Sequence, residues 1–456
     1  MGSLAVMLAE RGCRVTGSDT HIYPPMSDFL EQSKIKIHPG FDAKRLEPAP
    51  DLIVIGNAVS RGNPEVEATL DRRLSYTSLP ELLRDQFLSS SRPVVVTGTH
   101  GKTTTTAWIA HVLSTNNFDP SFLIAGIPHD LPRPYHIGAG SHFIIEGDEY
   151  DSAFFAKFPK FFYYRPELLL INNIEYDHAD IYTNLSEIER IFRHLLQTVP
   201  SNGLILANGD DPVVARIIPH APAPVETFGL GNQCHWRAQD LLQINGQQHF
   251  CVTTDGKKFS QFEIALSGQH NIRNALGAIA ATSYLGLNCK EIATGVASFT
   301  GIRRRQELLG KFRNVTVIDD FAHHPTAVEQ TLLGLRQAYQ KAHLWAIFEP
   351  ASATNARAIF EDQYLRAFSA ADRITLATVP RPGRALSDPP FSPKRLATKL
   401  LNKGKRAEYA SSSEKVLELL QSDISEGDLV VFMSNGSFGG VQKKLVDFLQ
   451  RQTVEK

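Results

Sequence analysis

A chain of 456 residues, 42% hydrophobic and 21% charged, has the make-up of a folded globular protein of about three domains, which excludes a disordered chain. Its net charge of −1 provides no whole-chain field for nucleic acid or an anionic membrane. No apolar run approaches the roughly 20 residues that span a bilayer, and the start, MGSLAVMLAERGCRV, lacks the basic region and long apolar stretch of a secretion signal. Cys13, Cys234, Cys251 and Cys289 form no C-x-x-C pair, which fits reduced thiols in a cytoplasm.

The first element reads as a helix, Ser3–Arg11, followed by a strand in CRVTGSD. A nucleotide-binding α/β domain ordinarily opens with a strand and a glycine-rich turn, so that strand and turn are expected to be absent here. Then come LIVIGNA (Leu52–Ala58), PVVVTGT (Pro93–Thr99), HFIIEGD (His142–Asp148) and ELLLINNIE (Glu167–Glu175). Each is almost continuously apolar, as strands of a parallel sheet covered on both faces are. Helical patterns at Thr103–Ser114, Leu185–Val199 and Asn271–Leu285 alternate with them, which predicts α/β architecture. The serine-rich FLSSSR near Leu88–Arg92 and TGIRRRQE near Gly301–Arg305 mark boundaries, giving domains 1–92, 93–302 and 303–456. The last block carries strands in NVTVIDDFAHHP, HLWAIFEP and DLVVFMSNGSFGG, and a Pro-rich loop, VPRPGRALSDPPFSP.

The chemistry begins at VVVTGTHGKTTTTAW. The usual phosphate loop is G-x-x-x-x-G-K-[ST], but Val96 stands where its first glycine would be. Anion binding still follows from the rest. Gly98 and Gly101 let backbone N–H groups approach closely, and the helix beginning near Lys102 points its positive end at the same place. Lys102 can reach outer phosphates and the Thr103 hydroxyl can bind Mg²⁺. A plain glycine turn is the bland alternative.

HFIIEGDEYD ends a strand with Glu146, Asp148, Glu149 and Asp151, where a hard cation would find oxygen ligands; a solvated acidic turn is the competing reading. LLLINNIEYDHADIY ends another with Asn173, Glu175, Asp177 and His178, the last either a metal ligand or an ordinary hydrogen-bonded histidine. Strand ends at Thr99, Glu146 and Asn173 are expected to meet in one crevice. Further on, GQHNIRNA, RRRQE and DDFAHHPT could be an N-cap, a solvated basic run and a proline-limited turn.

Taken together and in this order, GTHGKTT, EGDEYD, NNIEYDHADIY, GQHNIRNA, RRRQE and DDFAHHPT resemble the Mur ligase family, the ATP-dependent amide ligases of cell-wall peptide synthesis. The resemblance covers nearly the whole chain. It implies three α/β domains: a Rossmann-like N-terminal domain for a UDP-sugar, a central P-loop ATPase-like domain, and a Rossmann-like C-terminal domain for the amine substrate. It implies ATP and Mg²⁺ as cofactors, with Gly98, Thr99, His100, Gly101, Lys102, Thr103, Thr104, Asn274, Arg305 and Asp320 around ATP. Thr103, Glu146 and His178 match the family's metal positions, and Lys102, Glu146, His178 and His323 its catalytic positions. Asp19, Asn57, Asn63, Asp148, His324, Ser352 and Asn355 are the implied substrate contacts. Segments such as VTGSDTHIYPPMS, DEYDSAFFAKFPKF and FMSNGSFGG point to the branch that joins UDP-N-acetylmuramate to L-alanyl-γ-D-glutamyl-meso-diaminopimelate through an acyl phosphate. The branch that adds L-alanine to the same sugar is the alternative. Some relatives use a carbamylated lysine after the metal histidine, but Ala179–Val199 contains no lysine.

Overall fold

The computed structural model describes residues 1–20, 22, 26–351, 358–379 and 390–454. They pack as two compact units: Met1–Ala125 with Leu131–Ile174 and Ser186–Thr227, and Gly126–Asp130 with Glu175–Leu185 and Phe228–Lys456. No described helix is long and apolar enough to cross a membrane.

In the first unit the chain enters on the helix Gly2–Glu10 and reaches its first strand at Thr16–Asp19. That strand pairs in parallel with Lys36–Pro39, and Ile53–Ile55 pairs in parallel with Tyr76–Ser78. LIVIGNA therefore contributes only three strand residues, because Gly56 and Asn57 already leave the ladder. The main sheet is built around Arg92–Thr97, whose last five residues are all buried. His142–Gly147 lies along one side and Leu168–Ile171 along the other, both parallel. Leu204–Asn208 extends the sheet beyond Leu168–Ile171, while Ser121–Leu123 and then the antiparallel Tyr135–His136 extend it beyond His142–Gly147. After Arg92–Thr97 the chain first builds one side and then crosses to the other. Such a reversal leaves a crevice outside the strands' carboxyl ends.

The second unit holds a six-stranded sheet in the order Glu307–Phe312, Val315–Asp320, Asp428–Met433, His343–Phe348, Arg373–Ala377, Arg406–Ala410. The first pair is antiparallel and the rest are parallel. Alternation along the strands produces two cores, one on each face. Ile318, Leu344, Ala346, Phe348, Leu429 and Val431 point into one, and Val317, Trp345, Ile347, Val430 and Phe432 into the other. Three strands, Trp236–Ile244, Gln247–Thr254 and Lys257–Ile264, form an antiparallel meander outside the expected βα alternation. Its two turns are Asn245-Gly246 and Asp255-Gly256, all four residues at positive φ. Such N-G and D-G dipeptides are strong hairpin signals, and they were the readable mark of this meander.

Helix ends explain two of the later motifs. DDFAHHPT runs from the strand Val315–Asp320 into the helix Pro325–Ala338, with His324 as N-cap and Pro325 at the first helical position. In GQHNIRNA the helix Gln269–Tyr284 begins after Gly268, so Asn271 lies inside the first turn and is not the cap. Gly334 of the helix Pro325–Ala338 lies against Gly268, and a Cβ there would stand 2.7 Å from the Gly268 Cα. Gly334→Val should therefore destabilise the fold by about 1–3 kcal/mol, as overpacking does. A urea midpoint equal to wild type would show that this contact yields without cost.

Candidate active site

The site begins where the strand Arg92–Thr97 ends. Gly98 has φ 128° and Gly101 φ 82°, conformations that side-chain-bearing residues rarely adopt. Gly101 is also the N-cap of the helix Lys102–Thr115. The first-turn N–H groups of Lys102, Thr103 and Thr104 have no acceptor within the helix and form its anion-binding end. Residues Thr103 to Leu113 are all buried, so this helix has no solvent face and the loop is mounted on a fully packed element.

Two asparagines hold the loop's shape. Thr99 N–H donates to the Asn173 backbone oxygen at 3.0 Å and His100 N–H to Asn173 Oδ1 at 2.8 Å. Asn173 Nδ2 returns a bond to the His100 oxygen at 3.2 Å. Asn172 Nδ2 donates to Thr105 Oγ1 at 3.2 Å, and Asn208 Nδ2 donates to the Asn172 oxygen at 2.6 Å. The backbone of Thr99 and His100 thus shapes the loop, and the anion-facing donors are those of the helix start. Asn173 stood among the expected strand-end residues, but its clamping role and that of Asn172 carry no motif of their own.

Lys102 Nζ donates to the Gly98 oxygen at 2.7 Å and to Glu149 Oε2 at 2.8 Å, and lies 4.0 Å from Asp148 Oδ1. Burial alone would lower its pKa, but the charges of Glu149 and Asp148 outweigh burial and hold the ammonium above its ordinary value. Thr103 Oγ1 donates to Glu146 Oε2 at 2.8 Å, and Ala125 N–H donates to Glu146 Oε1 at 2.6 Å. Burial and then the Asp148 charge push the Glu146 carboxyl up, while the Ala125 and Thr103 bonds pull it down. Asp148 is tied to Lys160 at 3.0 Å. Thr99 and Asn173 are thus joined directly, and Glu146 closes the neighbouring parallel strand.

The other expected residues fall as follows. His178 belongs to the second unit and lies in a loop past Leu168–Ile171, with φ 52°. His323 and His324 belong to the same unit, and their charges, with that of His178, act on Asp177. Burial would raise the Asp177 carboxyl, but the three histidines bring it down to about 2. His324 Nδ1 caps Thr326 N–H at 3.3 Å, and Thr326 Oγ1 donates to Glu175 at 3.0 Å. Asp320 is buried and accepts from Gln306 N–H and Ala322 N–H, each at 2.7 Å. Arg305 stacks 4.7 Å above the Phe321 ring, and Asn274 donates to Asn271 at 3.2 Å. A cavity of about 590 Å³ is lined by Arg305 with Ser267, Gln306 and Tyr339, but not by Asn274 or Asp320.

Asp19 ends the strand Thr16–Asp19, and its oxygen accepts from Gly40 N–H. Asn57 is exposed. Asn63 is the cap of the helix Pro64–Asp71, accepting from Glu65 and Val66 N–H. Ser352 and Asn355, like the YPP of YPPM and most of the Pro-rich stretch, lie outside the described residues. The four cysteines are free thiols.

A glycine turn clamped at a strand end, a lysine, a helix N-terminus and a hydroxyl–carboxylate pair are the parts from which phosphate loops are built. The three segments of the chain match the Mur ligase family, catalytic domain (residues 1–89), the Mur ligase middle domain (96–282) and the Mur ligase, glutamate ligase domain (304–436). The chain is 38% identical over 453 residues to the UDP-N-acetylmuramate--L-alanyl-gamma-D-glutamyl-meso-2,6-diaminoheptandioate ligase of Escherichia coli (strain K12), covering 99% of this chain and 96% of that protein. It is 36% identical over 455 residues to the Haemophilus influenzae ligase of the same name, covering 99% and 97%. The crystal structure of a murein peptide ligase from Psychrobacter arcticus 273-4 matches with a TM-score of 0.75 and 34% identity, covering 98% of this chain and 96% of that one. The chain belongs to the Mur ligase family, whose members are ATP-dependent amide ligases of three α/β domains.

Asn173→Ala would remove two of the bonds that shape the loop. Small displacements of a positioning group cost heavily, so kcat/KM for ATP should fall by about tenfold to a hundredfold while the melting temperature changes little. An unchanged kcat/KM would show that the glycines hold the loop unaided.

Proposed function

We propose that this protein joins UDP-N-acetylmuramate to L-alanyl-γ-D-glutamyl-meso-diaminopimelate at the expense of ATP. The observation that carries the reading is full-length similarity to ligases named for that reaction, together with the clamped loop and the Thr103–Glu146 pair. The proposed domains are 1–92 for the UDP-sugar, 93–302 for ATP and 303–456 for the peptide, acting in the cytoplasm, where thiols stay reduced.

In this reading the lactyl carboxylate attacks the γ-phosphoryl group and ADP leaves, giving an acyl phosphate. The peptide's amine then attacks the acyl carbon, and phosphate departs from the tetrahedral intermediate. The helix start and Lys102 receive the phosphoryl charge. Lys102 already carries its positive charge, and exchanging Glu149 for phosphate oxygens needs no proton. Asn172 and Asn173 keep the loop in place, so little reorganisation is required at the moment of reaction. Gly98, Thr99, His100, Gly101, Thr103 and Thr104 complete the phosphate side; Asn274, Arg305 and Asp320 serve the nucleoside side. His323 is assigned to catalysis, and Asp19, Asn57, Asn63, Asp148, His324, Ser352 and Asn355 to the other substrates.

The donor set fits magnesium. A hydroxyl and a carboxylate oxygen 2.8 Å apart beside a phosphate loop suit a hard cation that takes oxygen ligands. Thr103 and Glu146 would hold it; His178 is a further metal position only by the family resemblance. Bound there, magnesium would offset charge on the phosphate oxygens.

Three measurements test the reading. Phosphate release should require both UDP-N-acetylmuramate and an amine, and kcat/KM should favour the tripeptide over L-alanine by about tenfold or more, since remote groups help orient the amine. Equal or better use of L-alanine would assign the protein to the alanine-adding branch. Lys102→Ala should lower kcat by about a hundredfold or more with the fold intact. Turnover near wild type in that variant would dismiss the ATP-site assignment.

A further inference from the structure

Lys160 is a second ammonium beside the phosphate loop, and the steps above give it no part. Its position is built by a hairpin. From Asp148 the chain runs out along Asp151–Ala153, turns at Phe154 and Phe155, and returns along Ala156–Pro159. Ser152 Oγ closes this excursion on the Phe158 oxygen at 2.8 Å. Phe161, the residue after Lys160, is completely buried, and its N–H lies 3.4 Å from the Asp148 oxygen. The hairpin thus brings Lys160 back onto the residue from which it departed.

There Lys160 Nζ donates to Asp148 Oδ2 at 3.0 Å and to the Tyr150 hydroxyl at 2.9 Å, and it stands 4.1 Å from the centre of the Tyr150 ring. Its side chain is 14% exposed. An ammonium has three donors, and these contacts use two. Asp148 links the two lysines: Lys102 lies 4.0 Å from its other oxygen.

The reaction creates a need for such a group. A carboxylate must approach a γ-phosphoryl group that already carries negative charge, and two anions at bonding distance repel strongly in a buried site. Lys102 is committed to the phosphates. We propose that Lys160 binds the carboxylate of the acid substrate and presents it to the γ-phosphoryl group. The carboxylate oxygen forms its bond to the γ-phosphorus, the bond from that phosphorus to the β,γ-bridging oxygen breaks, and ADP leaves with the electron pair. Lys160 remains an ammonium throughout. The proposal rests on the ligase reading given above.

The test uses two nucleotide sugars that differ only at the reacting end. UDP-N-acetylglucosamine is UDP-N-acetylmuramate without its lactyl ether, and so without the carboxylate. Binding of each to the full chain is measured by calorimetry for wild type, Lys160→Met, Lys160→Gln and Lys160→Arg. Lys160→Gln keeps donors without charge and serves where Lys160→Met does not fold. Loss of the ammonium should weaken UDP-N-acetylmuramate binding by about 30-fold and leave UDP-N-acetylglucosamine within about twofold, as truncating one partner of a buried charge pair does. Lys160→Arg should recover most of the lost affinity. Equal losses for both sugars would make Lys160 a structural or pyrophosphate-binding residue and overturn the proposal, as would no loss for either. A wild-type protein that binds neither sugar contradicts the ligase reading itself and takes the proposal with it.

Discussion

Gly98 stands so close to the neighbouring strand end that no side chain could occupy its place. A Cβ there would lie 2.8 Å from the Asn173 oxygen and 2.9 Å from its nitrogen. The turn at φ 128° and the contact with Asn173 depend on one another. Glycine lets the loop lie against Asn173, and Asn173 then fixes it through Thr99 and His100. From this contact follow the direction of the helix Lys102–Thr115, the placement of Lys102, and the meeting of Thr103 with Glu146. The short loop takes its shape from the adjacent strand end rather than from a longer glycine-rich turn.

Charge is arranged around that loop with the same economy. Glu149 and Asp148 keep Lys102 protonated in a buried place, and Asp148 is in turn held charged by Lys160 and Lys102. Buried charges survive only when paired and hydrogen-bonded. The carboxylates therefore do two jobs: they neutralise the buried lysines and they fix where each ammonium stands. Glu146 differs from them. Its oxygens are tied to a hydroxyl and a backbone N–H, which orients it beside the loop without a direct lysine bond.

Much of this was readable from residues alone, and the reasons are physical. Gly98, Gly101 and Lys102 have conformational or charge requirements that few other residues meet, so their spacing is informative. Continuous apolar runs identify covered parallel strands, and the strands at Arg92–Thr97, His142–Gly147 and Leu168–Ile171 lie where such runs are. Other features were hidden. Asn172 and Asn173 clamp the loop through ordinary amides, and an amide in sequence does not reveal its partner. Lys160 reaches Asp148 only because a hairpin folds back on itself, a long-range return that periodicity cannot show. The meander was readable at Asn245-Gly246 and Asp255-Gly256, but the surrounding α/β alternation masked it. Asn63 shows the same limit: its side chain caps the helix Pro64–Asp71, a local role that the family resemblance did not indicate.

The adjacent strand end holds the loop in its shape before any nucleotide binds. Amide hydrogen exchange at Thr99 and His100 in the nucleotide-free protein tests this most directly, because both N–H groups donate to Asn173. Exchange at both amides should be slowed well below that of an open loop, and exchange at His100 should become faster once Asn173 is replaced by Ala. Exchange at unprotected rates in the nucleotide-free protein would contradict it, because the loop would then take its shape from the nucleotide and not from Asn173.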